Sequence, residues 1–309
     1  MTGPDGEIRR NRWWRWLWRA PALAILLGFG WLWLVWPPPA WYRWVWPRET
    51  AFMALRRSEG ATREARRYSP VPLSAIAPIM KDAALAGEDQ RFYAHAGLDY
   101  VEFRHALGYR PDSFSWRSSR DRERLLRAVQ QTWKRGFRVR GASTISQQLA
   151  KNLYLSPSRN PLRKLKEALL AWRLEYWLGK ERILELYLNV AELGPGVWGV
   201  DAASRKYFGR PAARLTLEQA AALAATLPFP LSSNPEHRPG RMHWRQNMII
   251  RWLRGEAVEI PRIIDSVPER LPDSLRLRRL DSILKLDSVK IRLDSVRDTI
   301  RPDTIGPRT

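Results

Sequence analysis

NPLRKLKEALLAWRLEYWLGKERILELYLNVAELGPGVWGVDAASRKYFG, residues 160–209, decides the fold class. Asn160 reads as a helix cap and Pro161 as the first helical residue, where a missing N–H has no intrahelical partner to lose. Leu165, Leu169, Trp172 and Tyr176 recur along one side at helical spacing. Arg163 and Glu167 stand four apart, with Lys164 and Lys166 beside them. A second helix is expected from Glu181 to about Val190, after which Gly194, Gly196 and Gly199 interrupt the chain before a third helix carrying Tyr207 and Phe208. These glycines do not make a phosphate loop, because no strand precedes them and no Lys-Ser or Lys-Thr follows. Residues 49–255 alternate helical periodicity with short polar breaks and lack a convincing run of alternating strand residues, so this domain is expected to be mostly α.

Composition sets the outer bounds. The chain has 309 residues, 53 Lys+Arg against 31 Asp+Glu, and a formal net charge of +22. With 45% hydrophobic residues it can bury a core, which excludes wholesale disorder. Cysteine is absent, so disulfide frameworks, thiolate nucleophiles and Cys-based metal sites are excluded. Ten of the 17 tryptophans lie before residue 50. From Ala20 to Tyr42 no side chain is charged, long enough for a helix across about 30 Å of hydrocarbon, and Pro37, Pro38 and Pro39 end the run. Tryptophans crowd both ends of that stretch, and Arg9, Arg10, Arg12, Arg15 and Arg19 precede it against Arg43 and Arg48 beyond. The expectation is a basic cytoplasmic segment (1–19), a retained transmembrane anchor (20–42) and a catalytic domain (49–255) on the extracytoplasmic side of the cell inner membrane. A cleaved signal peptide would need a small-residue cleavage site after the apolar run, and none follows. Within the domain, residues 109–140 carry ten Lys/Arg against three carboxylates, a net of +7. A low-complexity Asp-Ser-rich tail fills 256–309, a candidate contact for the wall or for cell-wall synthesis partners.

Two more segments carry chemistry. In AALAGEDQRFYAHAGLD (83–99), a helix over Ala83–Phe92 would hold Glu88 and Asp89 near its C-terminal end, where carboxylates are electrostatically unfavourable. A solvated cluster pairing Asp89 with Arg91 is the simpler reading of those residues alone. His95, Gly97 and Asp99 follow in a tight turn that would fold back over the acidic pair, and a carboxylate enclosed there would have the raised pKa of a general base. In RGASTISQQLAKNLYLSPSR (140–159), Ser143 reads as the N-cap of a helix from Thr144 to about Tyr154. Gln147 with Lys151, and Gln148 with Asn152, lie four apart on adjoining polar faces, opposite a core side of Ile145, Leu149 and Leu153. Such faces suit a polar, phosphate- or sugar-rich ligand, though an ordinary amphipathic helix would look the same. His95, His105, His237 and His243 are too scattered for a metal site, and His95 is expected to stabilise the turn.

Taken in order, EDQRF with His95, Gly97 and Asp99, then G-x-STI-x-QQ-x-x-KN, then RK-x-x-E, then ILE-x-YLN with Gly194, Gly199, Ala202 and Tyr207-Phe208, resemble the four consecutive motifs of the peptidoglycan glycosyltransferases. The chain is most similar to the monofunctional biosynthetic peptidoglycan transglycosylases, over roughly residues 68–250. The resemblance implies a two-lobed, lysozyme-like, all-α domain that polymerises lipid II into β-1,4-linked glycan strands and releases undecaprenyl diphosphate. It makes Glu88 the base that takes the proton from the acceptor sugar's 4-hydroxyl, and Glu167 a second acidic residue on the diphosphate side. It implies that Arg91, Lys151, Arg159 and Lys166 hold diphosphate and sugar, that Ser143, Gln147 and Gln148 line the groove, and that Asp89, Thr144, Asn152, Arg163 and Lys164 belong to the same substrate-binding set. Lipid II, the growing lipid-linked glycan and membrane lipids are the implied partners. No cofactor is required by the sequence; a divalent cation, Mg or Mn, is used by relatives, yet no ligand cluster demands one.

The sequence departs from the family at three places. Residues 109–140 form a longer and more basic insert than expected, Leu98 stands where an aromatic is expected, and the tail has no recognised counterpart. Two other functions compete. A muramidase or lytic transglycosylase on the same scaffold would cut neutral glycan and would not need a cationic cradle. A membrane-tethered nucleic-acid or scaffold protein would fit the charge, but the expected topology puts the basic domain away from DNA, so no nucleic-acid partner is expected.

Overall fold

The computed structural model describes residues 18–30, 39–59, 66–109, 114–134, 143–155 and 161–260. They are mostly helical. After α1 (residues 18–30) come α2 (Ala51–Ser58), α3 (Pro78–Glu88), α4 (Tyr100–Ala106), α5 (Ser119–Lys134) and α6 (Ile145–Tyr154). Then follow α7 (Pro161–Leu178), α8 (Lys180–Val190), α9 (Val200–Phe208), α10 (Leu217–Thr226) and α11 (Gly240–Leu253). Two packing groups position the site: α3, α10 and α11 lie against one another, and so do α6, α7 and α8. Small residues allow the first group to close. α10 buries every residue from Ala220 to Thr226, and α3 meets its partners through Ala83, Ala84, Ala86 and Gly87. A Cβ on Gly87 would come within 3.3 Å of Ile249 on α11. In the second group Ile145, Leu149 and Leu153 are buried as expected, against a wall of Leu170, Leu174, Ile183 and Leu186.

Several helix ends differ from the sequence reading. α3 stops at Glu88 instead of running on to Phe92, and Phe92–Ala94 form a separate 3-10 turn. α6 is capped by Thr144 and not by Ser143. Thr144 forms a capping box with Gln147, so the backbone N–H of each residue finds a side-chain acceptor on the other. A three-stranded sheet is also present, which the reading did not anticipate: β1 (Arg67–Tyr68) runs parallel to β3 (Val197–Trp198), and β2 (Glu192–Gly194) antiparallel to it. Strands of two or three residues hold no period to detect, and both residues of β3 are buried. The glycines 194, 196 and 199 build this sheet and its exit into α9. Gly199 has φ +84°, and a Cβ there would lie 2.4 Å from the carbonyl oxygen of Asn189.

A buried ion pair ties the sheet to α2. The Arg56 guanidinium donates to both Glu192 oxygens at 2.8 and 3.1 Å and also to Glu59. Burial, the largest influence on Arg56, disfavours its charge, but the bonds to Glu192 and Glu59 outweigh it and hold its pKa above the ordinary value. Upstream, residues 39–48 are folded onto the domain. Arg182 on α8 lies 4.4 Å from the Trp46 ring, donates to the carbonyl oxygens of Tyr42 and Val45, and pairs with Glu185.

Residues 18–30 form an exposed helix, but no described helix is long and apolar enough to cross a membrane. The expected span of 20–42 includes residues 31–38, which lie outside the described residues, as do residues 1–17 and the tail from 261. Of the basic insert, the described part is mainly α5, whose arginines are exposed. Leu165, Leu169, Trp172 and Tyr176 on α7 form the stripe that their spacing suggested, and it faces solvent rather than the core.

Replacing Gly199 with Ala would force a side chain into left-handed backbone against a carbonyl, and should cost at least about 1–3 kcal/mol. Thermal unfolding followed by circular dichroism should show the lowered Tm, while Gly209→Ala, where a Cβ meets open space, should lose less.

Candidate active site

The site is assembled where the C-terminal end of α3 meets the N-terminal turn of α6. Asp89, just past α3, is fully buried. Its Oδ2 accepts the Ile145 N–H at 3.0 Å, and both carboxylate oxygens lie 3.1 Å from His95 Nε2. The first N–H groups of a helix have no intrahelical partner and carry partial positive charge, so a carboxylate there is stabilised twice. The turn from Arg91 to Asp99 closes over this point through Gly97, whose carbonyl accepts the Thr144 hydroxyl at 2.6 Å. Enclosure was expected for the acidic pair as a whole. It falls on Asp89, whereas the Glu88 side chain keeps 11% exposure.

Glu88 is the reachable carboxylate. Its Oε2 accepts from Gln148 Nε2 at 2.9 Å, and its Oε1 from Arg245 Nη2 at 3.0 Å. Gln148 is oriented in turn by the Tyr187 hydroxyl, which donates to its Oε1 at 2.9 Å. Arg245 also donates to the Gly87 carbonyl, fixing the guanidinium against the last turn of α3. Both oxygens of Glu88 are therefore held as acceptors, by Gln148 on α6 and Arg245 on α11. A carboxylate so held can receive a proton from a hydroxyl brought to it.

Glu167 sits on the buried side of α7 with no exposure. It accepts from Arg163 at 3.0 Å and from Lys164 at 2.6 Å, and Lys164 also donates to Ser143 Oγ at 3.1 Å. Ser143, adjoining the Thr144 cap, thus links the start of α6 to this cluster. A buried carboxylate with two cations is costly to break, of order 3–5 kcal/mol if one partner is lost.

The remaining candidates divide. Thr144 and Gln147 are consumed by the α6 capping box and are buried, so they hold the fold rather than face a groove, a correction to their expected place in the lining. Asn152 is buried too. The Lys151 ammonium lies 5.7 Å from the Phe52 ring centroid, and Lys166 is exposed on α7. Arg91 donates to Asp99 at 3.0 Å, and Asp99 also caps α4 through the N–H groups of Val101 and Glu102. Arg159 lies outside the described residues.

Asp89, His95 and Asp99 bring possible ligand atoms within 4.8 Å of one another. They do not suit a divalent cation. Asp89 is engaged by Ile145 N–H and His95, and Asp99 by Arg91 and two backbone N–H groups, so the oxygens already serve donors. Sequence reasoning missed Arg245 and the role of Tyr187. A signal for Arg245 exists: with Met242 and Ile249 it completes the buried face of α11, an arginine on an otherwise apolar stripe.

Asp89→Ala would leave the Ile145 N–H and His95 without their acceptor, and should destabilise the domain by about 1–3 kcal/mol. A drop in Tm is expected for that variant and none for Lys166→Ala, which changes an exposed position.

Comparison with known proteins places this geometry in a family. The Transglycosylase family model matches residues 110–254. The Biosynthetic peptidoglycan transglycosylase of Azoarcus sp. (strain BH72) is 39% identical, over 75% of this chain and 97% of its own length. Its namesake from Thiobacillus denitrificans (strain ATCC 25259 / T1) is 37% identical, over 81% of this chain and 98% of its own. That of Bordetella pertussis (strain Tohama I / ATCC BAA-589 / NCTC 13251) is 41% identical, over 72% and 84%. With identity of this level across nearly the whole of two relatives, the chain belongs to the biosynthetic peptidoglycan transglycosylase family.

Proposed function

We propose that this chain is the peptidoglycan glycosyltransferase that polymerises lipid II in cell-wall synthesis, with Glu88 as its base. The observation that carries the reading is the Glu88 carboxylate, oriented by Gln148 and Arg245 while its side chain keeps 11% exposure. The acceptor sugar's 4-hydroxyl oxygen attacks C1 of the lipid-linked donor. Its proton passes to Glu88, and the bond from C1 to the diphosphate oxygen breaks with its electron pair going to undecaprenyl diphosphate. A diphosphate leaves readily once its charge is balanced, so the base, not an acid, is the group the reaction needs most.

The cations belong on the leaving-group side. Arg163 and Lys164 are held at Glu167, and the resemblance adds Lys151, Lys166 and Arg159 as the further cations for the diphosphate. Glu167 keeps Arg163 and Lys164 in register, so its role is to position the donor rather than to transfer a proton. The two helix groups are the lobes of a lysozyme-like scaffold in this reading. The uncharged Ala20–Tyr42 run anchors the chain in the inner membrane with residues 1–19 in the cytoplasm, and residues 109–140 lie near the lipid headgroups.

The test is labelled lipid II in detergent with the full chain. Wild type should give polymer. Glu88→Gln should lose at least about 10²-fold in rate, with the helical circular dichroism kept and Tm lowered by a few degrees, because one acceptor oxygen becomes an N–H donor facing another donor. Equal rates for the two proteins would refute the assignment of the base. Release of fragments from preformed glycan, with no polymer from lipid II, would replace synthesis by cleavage.

A further inference from the structure

Beside the Arg91–Asp99 turn, on the outer flank of α7, lies a cleft of about 420 Å³ walled by Arg91, His95, Leu98, Asp99, Val101 and Trp172. Trp172 is five residues beyond Glu167, about 140° around the helix at 3.6 residues per turn, so the cleft opens on the side opposite the buried carboxylate. It opens onto the solvent-facing stripe of α7, where Leu165 is 59% and Tyr176 68% exposed. From Leu165 to Tyr176 that stripe is roughly 16 Å long, close to the hydrocarbon depth of one leaflet, about half of 30 Å.

Three ionisable side chains line the cleft, Arg91, His95 and Asp99, and the Asp99 carboxylate is already met by Arg91 and by the two backbone N–H groups it caps. Arg91 spends Nε on Asp99, and its side chain is still 42% exposed. His95 is 5% exposed and turns Nε2 to the Asp89 carboxylate, an acceptor. In the neutral ring Nε2 therefore carries the hydrogen and Nδ1 is left an acceptor. That Nδ1 is buried with no hydrogen-bond partner among the described residues. An unsatisfied buried acceptor is a standing cost, which a ligand hydroxyl removes once a small rotation of the ring turns Nδ1 toward the cleft.

We infer that this cleft binds one anionic, hydroxyl-bearing phospholipid. Its phosphodiester meets the Arg91 guanidinium, a headgroup hydroxyl is directed at His95, and its acyl chains lie along Leu165, Leu169, Trp172 and Tyr176. The inference rests on the reading that the chain is tethered at a membrane. Lipid binding and polymerisation are read separately in the test, since the apolar wall of the cleft and Glu167 lie on different faces of α7, although Arg91 is also one of the residues that the resemblance gives to the substrate.

The test uses the full chain in detergent, with bound lipid counted by native mass spectrometry. Dihexanoyl-phosphatidylglycerol should bind as a single saturable equivalent, at least tenfold tighter than dihexanoyl-phosphatidylcholine. Val101→Trp, which fills the cleft, and Trp172→Ala, which removes a wall, should each weaken that binding at least tenfold while Tm and lipid II polymerisation in detergent stay as in wild type. Absence of a saturable equivalent, equal binding of the choline lipid, or unchanged binding in both variants would overturn the inference. Displacement of the lipid by an equal concentration of inorganic phosphate would also overturn it, by showing a free-phosphate site. Binding that meets these expectations in a protein that makes no polymer would uphold the lipid site and remove the proposed reaction alone.

Discussion

The bond between the Asp89 carboxylate and the backbone N–H of Ile145 is the constraint on which the site depends. It joins the end of α3 to the start of α6, two helices that otherwise belong to different packing groups. Because it occupies the positive end of α6, the buried charge is met by a helix terminus and by His95, and needs no water. Glu88 is the preceding residue, so fixing Asp89 also fixes where Glu88 leaves α3. Gln148, one turn into α6, is then within reach of it. Two adjacent carboxylates thus acquire different tasks through one backbone contact. The inner one supports the fold, and the outer one remains available for chemistry.

Much of this was legible because the residues concerned are close in sequence or recur with a helical period. Pro161 does begin α7, the helix expected near Glu181 does end at Val190, and Ile145, Leu149 and Leu153 do face the core. The errors lie where a local signal competes with a tertiary one. Ser143 and Thr144 are both good caps, and the choice fell to Thr144 because Gln147 can answer it and its hydroxyl reaches Gly97. The sheet was hidden because β1 and β3 are two residues long and more than a hundred residues apart. The Leu165–Tyr176 stripe was visible as periodicity, but periodicity alone does not say whether an apolar face meets protein or solvent. The partner of Glu88 was out of reach for the same reason as the sheet, since Arg245 is 157 residues away.

The domain also holds its own entry segment. Trp46 under Arg182, and Tyr42 within 6.1 Å of the Tyr154 ring, seat residues 39–48 on α7 and α8. Cation–π contact and two bonds to backbone carbonyls fix this stretch without burying any charge of its own. The described stretch from residue 39 to 48 is therefore part of the folded domain that follows it.

The Glu88–Arg245 pair sets an order of events. A polypeptide is made from its N-terminus, so the carboxylate emerges long before the guanidinium that steadies it. α3 and α6 can meet while α11 is still being synthesised, and Gln148 can then already bond Glu88 while Arg245 cannot. The last donor arrives with the last helix of the described domain, and its guanidinium closes on Gly87 and Glu88 together. Completion of the charged pair thus marks the arrival of α11, and a truncated product ending before α11 would carry the acidic turn without the guanidinium that steadies Glu88.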